Sequence, residues 1–466
     1  MTAKNNKCLL VHQGDMENYG FMYVAGELKR LGCIIKWIDA NQATFPLAVA
    51  TKYRPDFILF SPTTIFFKEA LELSGLLKEH ILGAKSIFGG HHALISPESI
   101  EDPRIDYAVR GHVYGGVLEK ILDGTASKVE RGRPGINEEL RPARDEFYRD
   151  IPKLAEYPVH YVMSFFGCPY NCSYCSTSFL RDFYGAKEFN RLFMKRRPPH
   201  DVIEESRIFL EYPPREVFMI DDDGLNGNDV EAWLEEFGPM WKKEIGLPIL
   251  TYVTPRSVTK ATDRALELMS KYFLSVVMGI QSLDAETLAL FNRQAHNEQI
   301  IRLAVARLKE FNIPVRCDVI FGAPIGDPVQ EAITTIKKLQ SFASHCSFGG
   351  YGLMVFPETE LERKLKERGI DFENAYNIRS TSGETTVCFN EETKYMLRKL
   401  AKLLQFFVSY KIDEYYMKAL LHLDTNDHDT LYDLSIANFH LAQRIRYGAE
   451  GDKVAEEKLK TQPMFL

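Results

Sequence analysis

The sequence lacks any run of about 18 or more uncharged apolar residues, so no membrane-spanning helix is expected. The residues before the strand-like stretch Cys8–Val11 leave no room for a signal peptide. Positive charge is not in excess, because 57 lysines and arginines face 64 aspartates and glutamates, a net charge of −7. That balance argues against a nucleic-acid partner. We therefore expect a cytoplasmic protein whose short basic run Lys195-Arg196-Arg197 lies on the solvated surface.

The eight cysteines do not suggest a disulfide scaffold, which is typical of short secreted chains, whereas this chain has 466 residues. Cys168, Cys172 and Cys175 form a C-x3-C-x2-C cluster, while the other cysteines are scattered. Three thiolates on one loop can bind a soft metal centre. Zinc normally needs a fourth ligand, whereas an iron–sulfur cluster can take three thiolates and leave one iron open. The spacing favours a cluster, and structural zinc or three buried thiols is the alternative.

The pattern of apolar runs predicts an α/β protein with three domains. Over residues 1–125, short apolar runs alternate with helical stretches, as in a doubly wound, Rossmann-like parallel sheet. Residues 126–154 are rich in Gly, Pro, Arg and Glu, which predicts a linker. Six further strand–helix units over 155–368 predict a partial (β/α)6 barrel, because a closed barrel needs eight. Residues 369–466 predict a C-terminal α-helical domain.

The segment Cys168-x3-Cys172-x-Tyr174-Cys175 resembles the signature of radical S-adenosylmethionine (SAM) enzymes, including the aromatic residue before the third cysteine. The resemblance implies that the three cysteines hold a 4Fe-4S cluster, whose open iron binds the amino and carboxylate groups of SAM. One electron from the cluster then cleaves SAM to methionine and a 5′-deoxyadenosyl radical. An electron donor such as flavodoxin or ferredoxin is implied as a partner.

Further segments occur in the order in which that family places its contacts to SAM. Asp221–Asp223 ends the second barrel strand, where a carboxylate suits the SAM ammonium group. The alternative for each aspartate is to cap the next helix. Gln281 stands where many members have a glutamate that contacts the ribose, and Glu358 stands where they have a glycine. The residues that the resemblance implies at the SAM site are Tyr174, Asp221, Asp222, Asp223, Arg256, Gln281, Ser282, Phe321 and Gly322.

Residues 1–125 resemble the cobalamin-binding domain that precedes the barrel in one branch of that superfamily, the class B type. The resemblance rests on Gly89–Ala93 and Asp106–Gly111, where paired glycines would let backbone approach a corrin ring. The chain lacks the D-x-H-x-x-G motif that supplies a histidine to cobalt, and Gly111–Gly116 lacks the carboxylates usual in the branch. The residues implied at the cobalamin site are Gly14, Ser61, Gly89, Gly90, His91, His92 and Gly111.

Together these resemblances imply a cobalamin-dependent radical SAM methyltransferase that acts on an unactivated carbon, or phosphorus, of a small-molecule biosynthetic intermediate. Such an enzyme forms S-adenosylhomocysteine and 5′-deoxyadenosine together. The departures in the cobalamin domain keep a second hypothesis open: a non-methylating radical SAM enzyme, such as a cyclase or epimerase, with a degenerate cobalamin domain. A non-catalytic sensor that binds a partner through its C-terminal helices is the third. No catalytic side chain is predicted.

Overall fold

A computed structural model describes residues 5–41, 45–133, 140–375, 384–422 and 428–461. No helix within these ranges is long and apolar enough to cross a membrane. The chain divides into two compact units, one of which is discontinuous. The first comprises Met1–Gly167 and Ser176–Val217, and the second comprises Cys168–Cys175 and Phe218–Leu466.

The first unit is built on a six-stranded sheet in which every strand pair is parallel. Its strands are β1 (Lys7–His12), β2 (Ile34–Asp39), β3 (Phe57–Phe60), β4 (Lys85–Phe88), β5 (Tyr107–Arg110) and β6 (Val129–Arg131). They lie in the order β2-β1-β3-β4-β5-β6. The direction in which strands are added reverses at β1, and in such sheets ligands bind outside the carboxyl ends of the strands near that reversal.

Both faces of this sheet are covered, which confirms the predicted doubly wound fold. The helices are α1 (Tyr19–Arg30), α2 (Phe45–Tyr53), α3 (Phe67–His80), α4 (Gly90–Ile95) and α5 (Val117–Leu122). Because successive side chains of a strand point to opposite faces, Cys8 and Leu10 of β1 belong to one apolar core, while Leu9 and Val11 belong to a second. Two buried faces explain why the strands are nearly continuous apolar runs.

The remainder of the first unit includes short elements in the stretch predicted as a linker. Helices α6 (Arg144–Asp150) and α7 (Pro152–Ala155) lie in or at the end of that stretch. Beyond it the unit contains β7 (Val159–Val162), β8 (Phe165–Phe166), α8 (Ser176–Tyr184), α9 (Ala186–Leu192), β9 (Lys195–Arg196) and α10 (Pro199–Ser206). Strands β8 and β9 pair antiparallel. Phe147 of α6 is fully buried and packs edge-on against Trp37 of β2, with 4.9 Å between ring centroids. Helix α6 is therefore part of the core.

The second sheet also has six strands, as predicted for a partial barrel. After β7 come β10 (Glu216–Met219), β11 (Ile249–Val253), β12 (Ser275–Gln281), β13 (Val315–Phe321) and β14 (Ser347–Gly352). The order is β14-β13-β12-β11-β10-β7, and β11 to β14 pair in parallel. The helices that alternate with them are α11 (Val230–Glu244), α12 (Pro255–Lys260), α13 (Asp263–Tyr272), α14 (Ala285–Leu290), α15 (Glu298–Glu310), α16 (Pro328–Phe342) and α17 (Glu360–Glu367). Parallel strands bring the loops after β11, β12 and β13 to one edge of the sheet.

Helices alone form the C-terminal elements that the structure describes, as expected from the sequence. They are α18 (Glu391–Ser409), α19 (Glu414–Leu421), α20 (His428–Tyr447) and α21 (Gly451–Thr461). Helix α18 packs on β14 through Gln405, whose side chain accepts a bond of 2.8 Å from the amide of Phe348 and donates to the carbonyl of Cys346 at 3.1 Å. The α-helical C-terminal region thus covers the last strand of the second sheet.

Candidate active site

All three cysteines of the motif lie on one loop and none of them forms a disulfide, with Cys172 buried and Cys168 and Cys175 half-buried. Among the described residues, no three His, Cys, Asp or Glu side chains converge closely enough to hold a single metal ion. A 4Fe-4S cluster makes a different demand, because each thiolate binds a different iron. Three thiolates without a fourth ligand suit a cluster with one open iron and do not suit structural zinc. The donor chemistry of the loop therefore fits the predicted cluster.

The loop is anchored at its centre by Ser173, which is fully buried. Its hydroxyl donates to the carbonyl of Leu290 at 2.7 Å, and its amide donates to the carbonyl of Phe291 at 3.0 Å. Its own carbonyl accepts from the amide of Leu361 at 2.8 Å. These contacts between protein groups fix the backbone between the second and third cysteines.

A buried arginine that the motifs did not indicate contacts the same loop. Nη1 of Arg293 lies 3.4 Å from Sγ of Cys172 and 3.4 Å from the hydroxyl oxygen of Tyr174, and Nη2 donates to the carbonyl of Gly279 at 2.5 Å. The ring of Tyr174, a predicted SAM contact, packs edge-on against Phe291 with 5.1 Å between centroids. Tyr174 is thus engaged by protein on at least two sides.

Asp223 is held inside the protein after β10. Its carboxylate accepts hydrogen bonds from Oγ of Ser257 at 2.7 Å and from Oγ1 of Thr254 at 2.9 Å. Burial raises its pKa to about 6, in spite of these hydrogen bonds, which act in the opposite direction. Asp223 therefore ties the loop after β10 to the loop after β11.

Asp222 and Arg256 offer opposite charges on the loops after β10 and β11. Asp222 is exposed, whereas Asp221 is fully buried. The N-cap of α11 is Asp229, so none of the three aspartates of the motif caps that helix. Arg256, on α12, is half-buried, and its guanidinium makes no hydrogen bond or ion pair within the described ranges. A carboxylate and a guanidinium suit the ammonium and carboxylate groups of an amino acid.

Gln281, at the end of β12, and Glu358, in the turn before α17, adopt left-handed backbone conformations that are uncommon outside glycine. Gln281 ends β12 with φ of +67°, next to a register shift that begins at Gly279. Glu358, where the family resemblance predicts glycine, has φ of +59°. Such strained residues concentrate at functional sites. Gln281 is half-buried and carries an amide suited to a hydroxyl group.

The other residues predicted for SAM on β12 and β13 are engaged by the protein itself. Ser282 is buried and its hydroxyl donates to Oε1 of Glu331 at 2.7 Å. Phe321 is buried at the end of β13, and Gly322 follows with φ of +87°. A Cβ at Gly322 would lie 3.3 Å from Cδ1 of Leu397, so this glycine allows close packing against α18.

The residues predicted for cobalamin follow β1, β3, β4 and β5, which are neighbours in the first sheet. Gly90 and His91, after β4, are both exposed. Gly90 has φ of +80°, and a Cβ there would lie 2.6 Å from Oγ of Ser61, which follows β3. The protein therefore leaves bare, exposed backbone at the carboxyl edge of the sheet, where a large planar ligand can approach. These residues fit the predicted cofactor.

Gly14 and Gly111 accommodate aromatic side chains of the protein. Gly14 has φ of +94°, and a Cβ there would lie 3.1 Å from Cε2 of Phe66. Gly111 also has φ of +94°, and the hydroxyl of Tyr184, at the end of α8, occupies the position that a Cβ would take. The amide of His112 donates to that hydroxyl at 2.8 Å. Helix α8, which begins directly after Cys175, thus ends at the loop after β5.

The histidines near this edge differ in exposure. His92 is fully buried and stacks on Phe67 with 3.8 Å between ring centroids, and burial lowers its pKa to about 4. His12 is buried as well, with Nε2 at 3.1 Å from the carbonyl oxygen of Gly14. His91 is exposed. His12 and His92 are therefore core residues in this structure.

A buried network of charges in the first unit was not predicted. Nη2 of Arg144 lies 3.0 Å from Oε1 of Glu205, and Nη1 lies 3.4 Å from Oε2 of Glu17. Arg197 binds the other oxygen of Glu205 at 2.8 Å and Asp201 at 2.7 Å. The prediction that Arg197 lies on the solvated surface is wrong, because these carboxylates of α10 hold it in the interior.

Comparison with protein families matches residues 162–339 to the radical SAM superfamily and residues 7–116 to the B12 binding domain. An uncharacterized methyltransferase of Pyrococcus horikoshii is 25% identical over 337 residues, which are 66% of this chain and 70% of that protein. The ribosomal protein uS12 methylthiotransferase RimO of Clostridioides difficile is 25% identical over 230 residues, 46% of this chain and 47% of RimO.

Two solved structures share the fold along nearly the whole chain. The radical SAM methyltransferase TsrM from Kitasatospora setae, with cobalamin and a [4Fe-4S] cluster bound, has a TM-score of 0.64 at 14% identity, covering 97% of this chain and 100% of TsrM. The cobalamin-dependent radical SAM enzyme OxsB has a TM-score of 0.64 at 13% identity, covering 99% of this chain and 76% of OxsB.

The chain contains a radical SAM domain and, before it, a B12-binding domain, so both resemblances predicted from the sequence are confirmed. The fold class is confirmed as well. The predicted cofactors, a 4Fe-4S cluster, SAM and cobalamin, are those of these two domain families.

Proposed function

We propose that this cobalamin-dependent radical SAM enzyme methylates an unactivated carbon, or phosphorus, of a small-molecule biosynthetic intermediate. The observation that carries the proposal is the exposed backbone at Gly90 and His91, on a B12-binding domain that precedes a radical SAM domain. The match to the full length of TsrM, a methyltransferase, and the curated methyltransferase relative support it.

In the second unit, the loops after the strands would bind and orient SAM. Asp222 would accept hydrogen bonds from the amino group, Arg256 would donate to the carboxylate, and Gln281 would contact the ribose. When bound, the cluster and SAM supply a radical that removes hydrogen from an unactivated position, and cobalamin supplies the methyl group. A donor such as flavodoxin or ferredoxin would provide the electron, which enters at the loop of Cys168, Cys172 and Cys175.

In the first unit, the loops after β3 and β4 would hold the corrin ring. Gly90 packs closely against Ser61, since a Cβ there would lie 2.6 Å from the Ser61 hydroxyl oxygen, so these two loops form one surface at the edge of the sheet. His12 and His92 are buried in the core, so we infer that cobalamin is held without a histidine ligand from either. His91 is the histidine of Gly89–Ala93 whose exposure allows contact with the ligand.

The test is to express the full chain anaerobically with iron and cobalamin, and to measure cobalamin per chain from the absorption spectrum. The protein is then given SAM and a chemical reductant. We expect about one cobalamin per chain, and S-adenosylhomocysteine in an amount equal to bound cobalamin together with 5′-deoxyadenosine. A chain with an intact cluster but no cobalamin, or one that forms only 5′-deoxyadenosine, would refute methyl transfer and favour a cyclase, epimerase or related radical reaction.

A further inference from the structure

Arg293 is a buried cation without a carboxylate partner. It is 4% exposed, and in the part of the chain that the structure describes it forms no ion pair. Its three hydrogen bonds go to the sulfur of Cys172, the hydroxyl of Tyr174 and the carbonyl of Gly279, and its buried Nε has no partner there. A buried charge is normally paired with an opposite charge, because desolvation of a lone ion is costly. Among the described residues, therefore, no carboxylate balances the charge of Arg293.

The neighbouring polar groups do not supply a balancing anion. His296 is buried, and burial together with the charges of Arg293 and Arg256 lowers its pKa to about 3, so it is neutral. The carboxylate of Asp223 is bound by two hydroxyl groups of the loop after β11. Two groups that can carry negative charge lie 3.4 Å from Nη1 of Arg293, the sulfur of Cys172 and the hydroxyl of Tyr174, and of these two only Cys172 belongs to the predicted cluster ligands.

The position of Arg293 is set by a segment in which each of four consecutive residues contacts the cluster loop. Leu290 and Phe291 accept hydrogen bonds from Ser173. Nδ2 of Asn292 donates to the carbonyl of Asn171 at 3.2 Å, and Arg293 donates to Cys172. Four consecutive residues, the last of α14 and the three that follow it, thus contact the centre of the loop, so protein contacts alone place the guanidinium next to Cys172.

We propose that Arg293 is a positioning residue for the iron–sulfur cluster, whose guanidinium donates to the Cys172 thiolate and balances the negative charge of the cluster. Three thiolates outweigh the positive charge of the oxidised iron–sulfur core, and one-electron reduction adds a further negative charge. Hydrogen bonds to the sulfurs and net charge both set the potential of such clusters. Arg293 therefore makes reduction easier. The proposal rests on Cys172 as a cluster ligand and is independent of methyl transfer.

The experiment compares Arg293→Met, Arg293→Lys and the control Arg307→Met in the full chain. Arg307 is a suitable control because it is a largely buried arginine that donates to the carbonyls of Val258 and Ala261, at 2.9 and 2.7 Å, and does not contact the cluster loop. Iron and sulfide per chain, and the midpoint potential from a redox titration followed by electron paramagnetic resonance, are measured without SAM.

We expect Arg293→Met to shift the midpoint potential to more negative values and to reduce cluster content, because both the positive charge and the hydrogen bond are lost. Arg293→Lys keeps the charge and should retain most of the potential, and Arg307→Met should match the wild type. Without the cluster, Arg293→Met should not lower the melting temperature, because an unpaired buried cation is removed, whereas Arg307→Met should lower it.

An unchanged potential in Arg293→Met with a full cluster would overturn the proposal. Loss of the cluster in both Arg293 variants would also overturn it, since charge alone would then not explain the role. If the wild type itself bound no cluster, the assignment of the three cysteines would be wrong. That result differs from the two above, in which the wild type binds the cluster and only the role of Arg293 is refuted.

Discussion

Replacing Arg144 with methionine should destabilise the first unit by about 3–5 kcal/mol, because it removes the buried cation that Glu17 and Glu205 share and leaves Glu205 with Arg197 alone. The side chain of Arg144 is 3% exposed, and those of Glu17 and Glu205 are 0% and 1% exposed. Water therefore cannot replace the guanidinium at either carboxylate. Methionine has a similar length, so the loss of packing is small compared with the loss of the charge.

The effect should depend on pH in a defined direction. Burial alone would raise the pKa of Glu17, but His160 and Arg144 outweigh it, and the pKa lies below its ordinary value of about 4.5. For Glu205, Arg197 and Arg144 outweigh burial in the same way. A carboxyl group whose pKa is lower in the folded than in the unfolded protein stabilises the fold at pH values above about 4.5. This stabilisation is lost as the pH falls through the pKa of the folded state. Without Arg144 burial should raise both pKa values, so the destabilisation should be largest at neutral pH and smaller below pH 4.5.

Hydrogen exchange followed by mass spectrometry measures the loss of stability locally, on the amides of α1 and α6. A loss of 3–5 kcal/mol corresponds to exchange faster by roughly two to three and a half orders of magnitude. Arg149→Met, on the same helix, is the matched control, because its ion pair with Asp145 is exposed and should contribute at most about 1 kcal/mol. If Arg144→Met and Arg149→Met had equal effects, the network would not stabilise the unit as argued.

Three further predictions concern the cofactor loops. Gly90→Ala should reduce bound cobalamin at least about tenfold, whereas Gly83→Ala, with an equally left-handed backbone but open space at its Cβ, should not, as measured by absorption. Arg256→Gln should weaken SAM binding by roughly ten- to a hundredfold in equilibrium dialysis, as expected for a lost charge-assisted hydrogen bond, and unchanged affinity would exclude it from the site. Asp222→Ala should weaken SAM binding without lowering the melting temperature, whereas Asp223→Ala should lower it, because two buried hydroxyl groups lose their acceptor.

The sequence predicted the alternation of strands and helices because most strands are buried runs of four or more residues. That alternation also implied that the loops after β10, β11 and β12 share one edge, so the distant Asp222, Arg256 and Gln281 could be assigned to one site. The short elements β6 and α6 were missed, because segments of three and seven residues are too short for a period to register.

Arg293, beside the cluster loop, and Arg144, in the buried charge network, could not be predicted from the sequence around them. Arg293 is 121 residues from Cys172, and Arg144 is 127 residues from Glu17. Each is a single arginine whose partner is set by tertiary packing, so neither spacing nor composition marks it. Arg197 was misassigned for the same reason: a basic run indicates solvent unless the carboxylates that bury it are known.

The discontinuity of the first unit restricts how this protein can be recombined. Residues Ser176–Val217 belong to it, although the cluster loop lies between them and the rest of that unit in the chain. A crossover in the stretch 126–154 would take Glu17 from one parent and Arg197 and Glu205 from the other. The two sides of the charge network in the chimera would then come from different proteins. Exchange of cobalamin domains between relatives should therefore fail with a single crossover at the apparent linker, and should yield folded chimeras when Ser176–Val217 moves with the first unit while Cys168–Cys175 stays with the second.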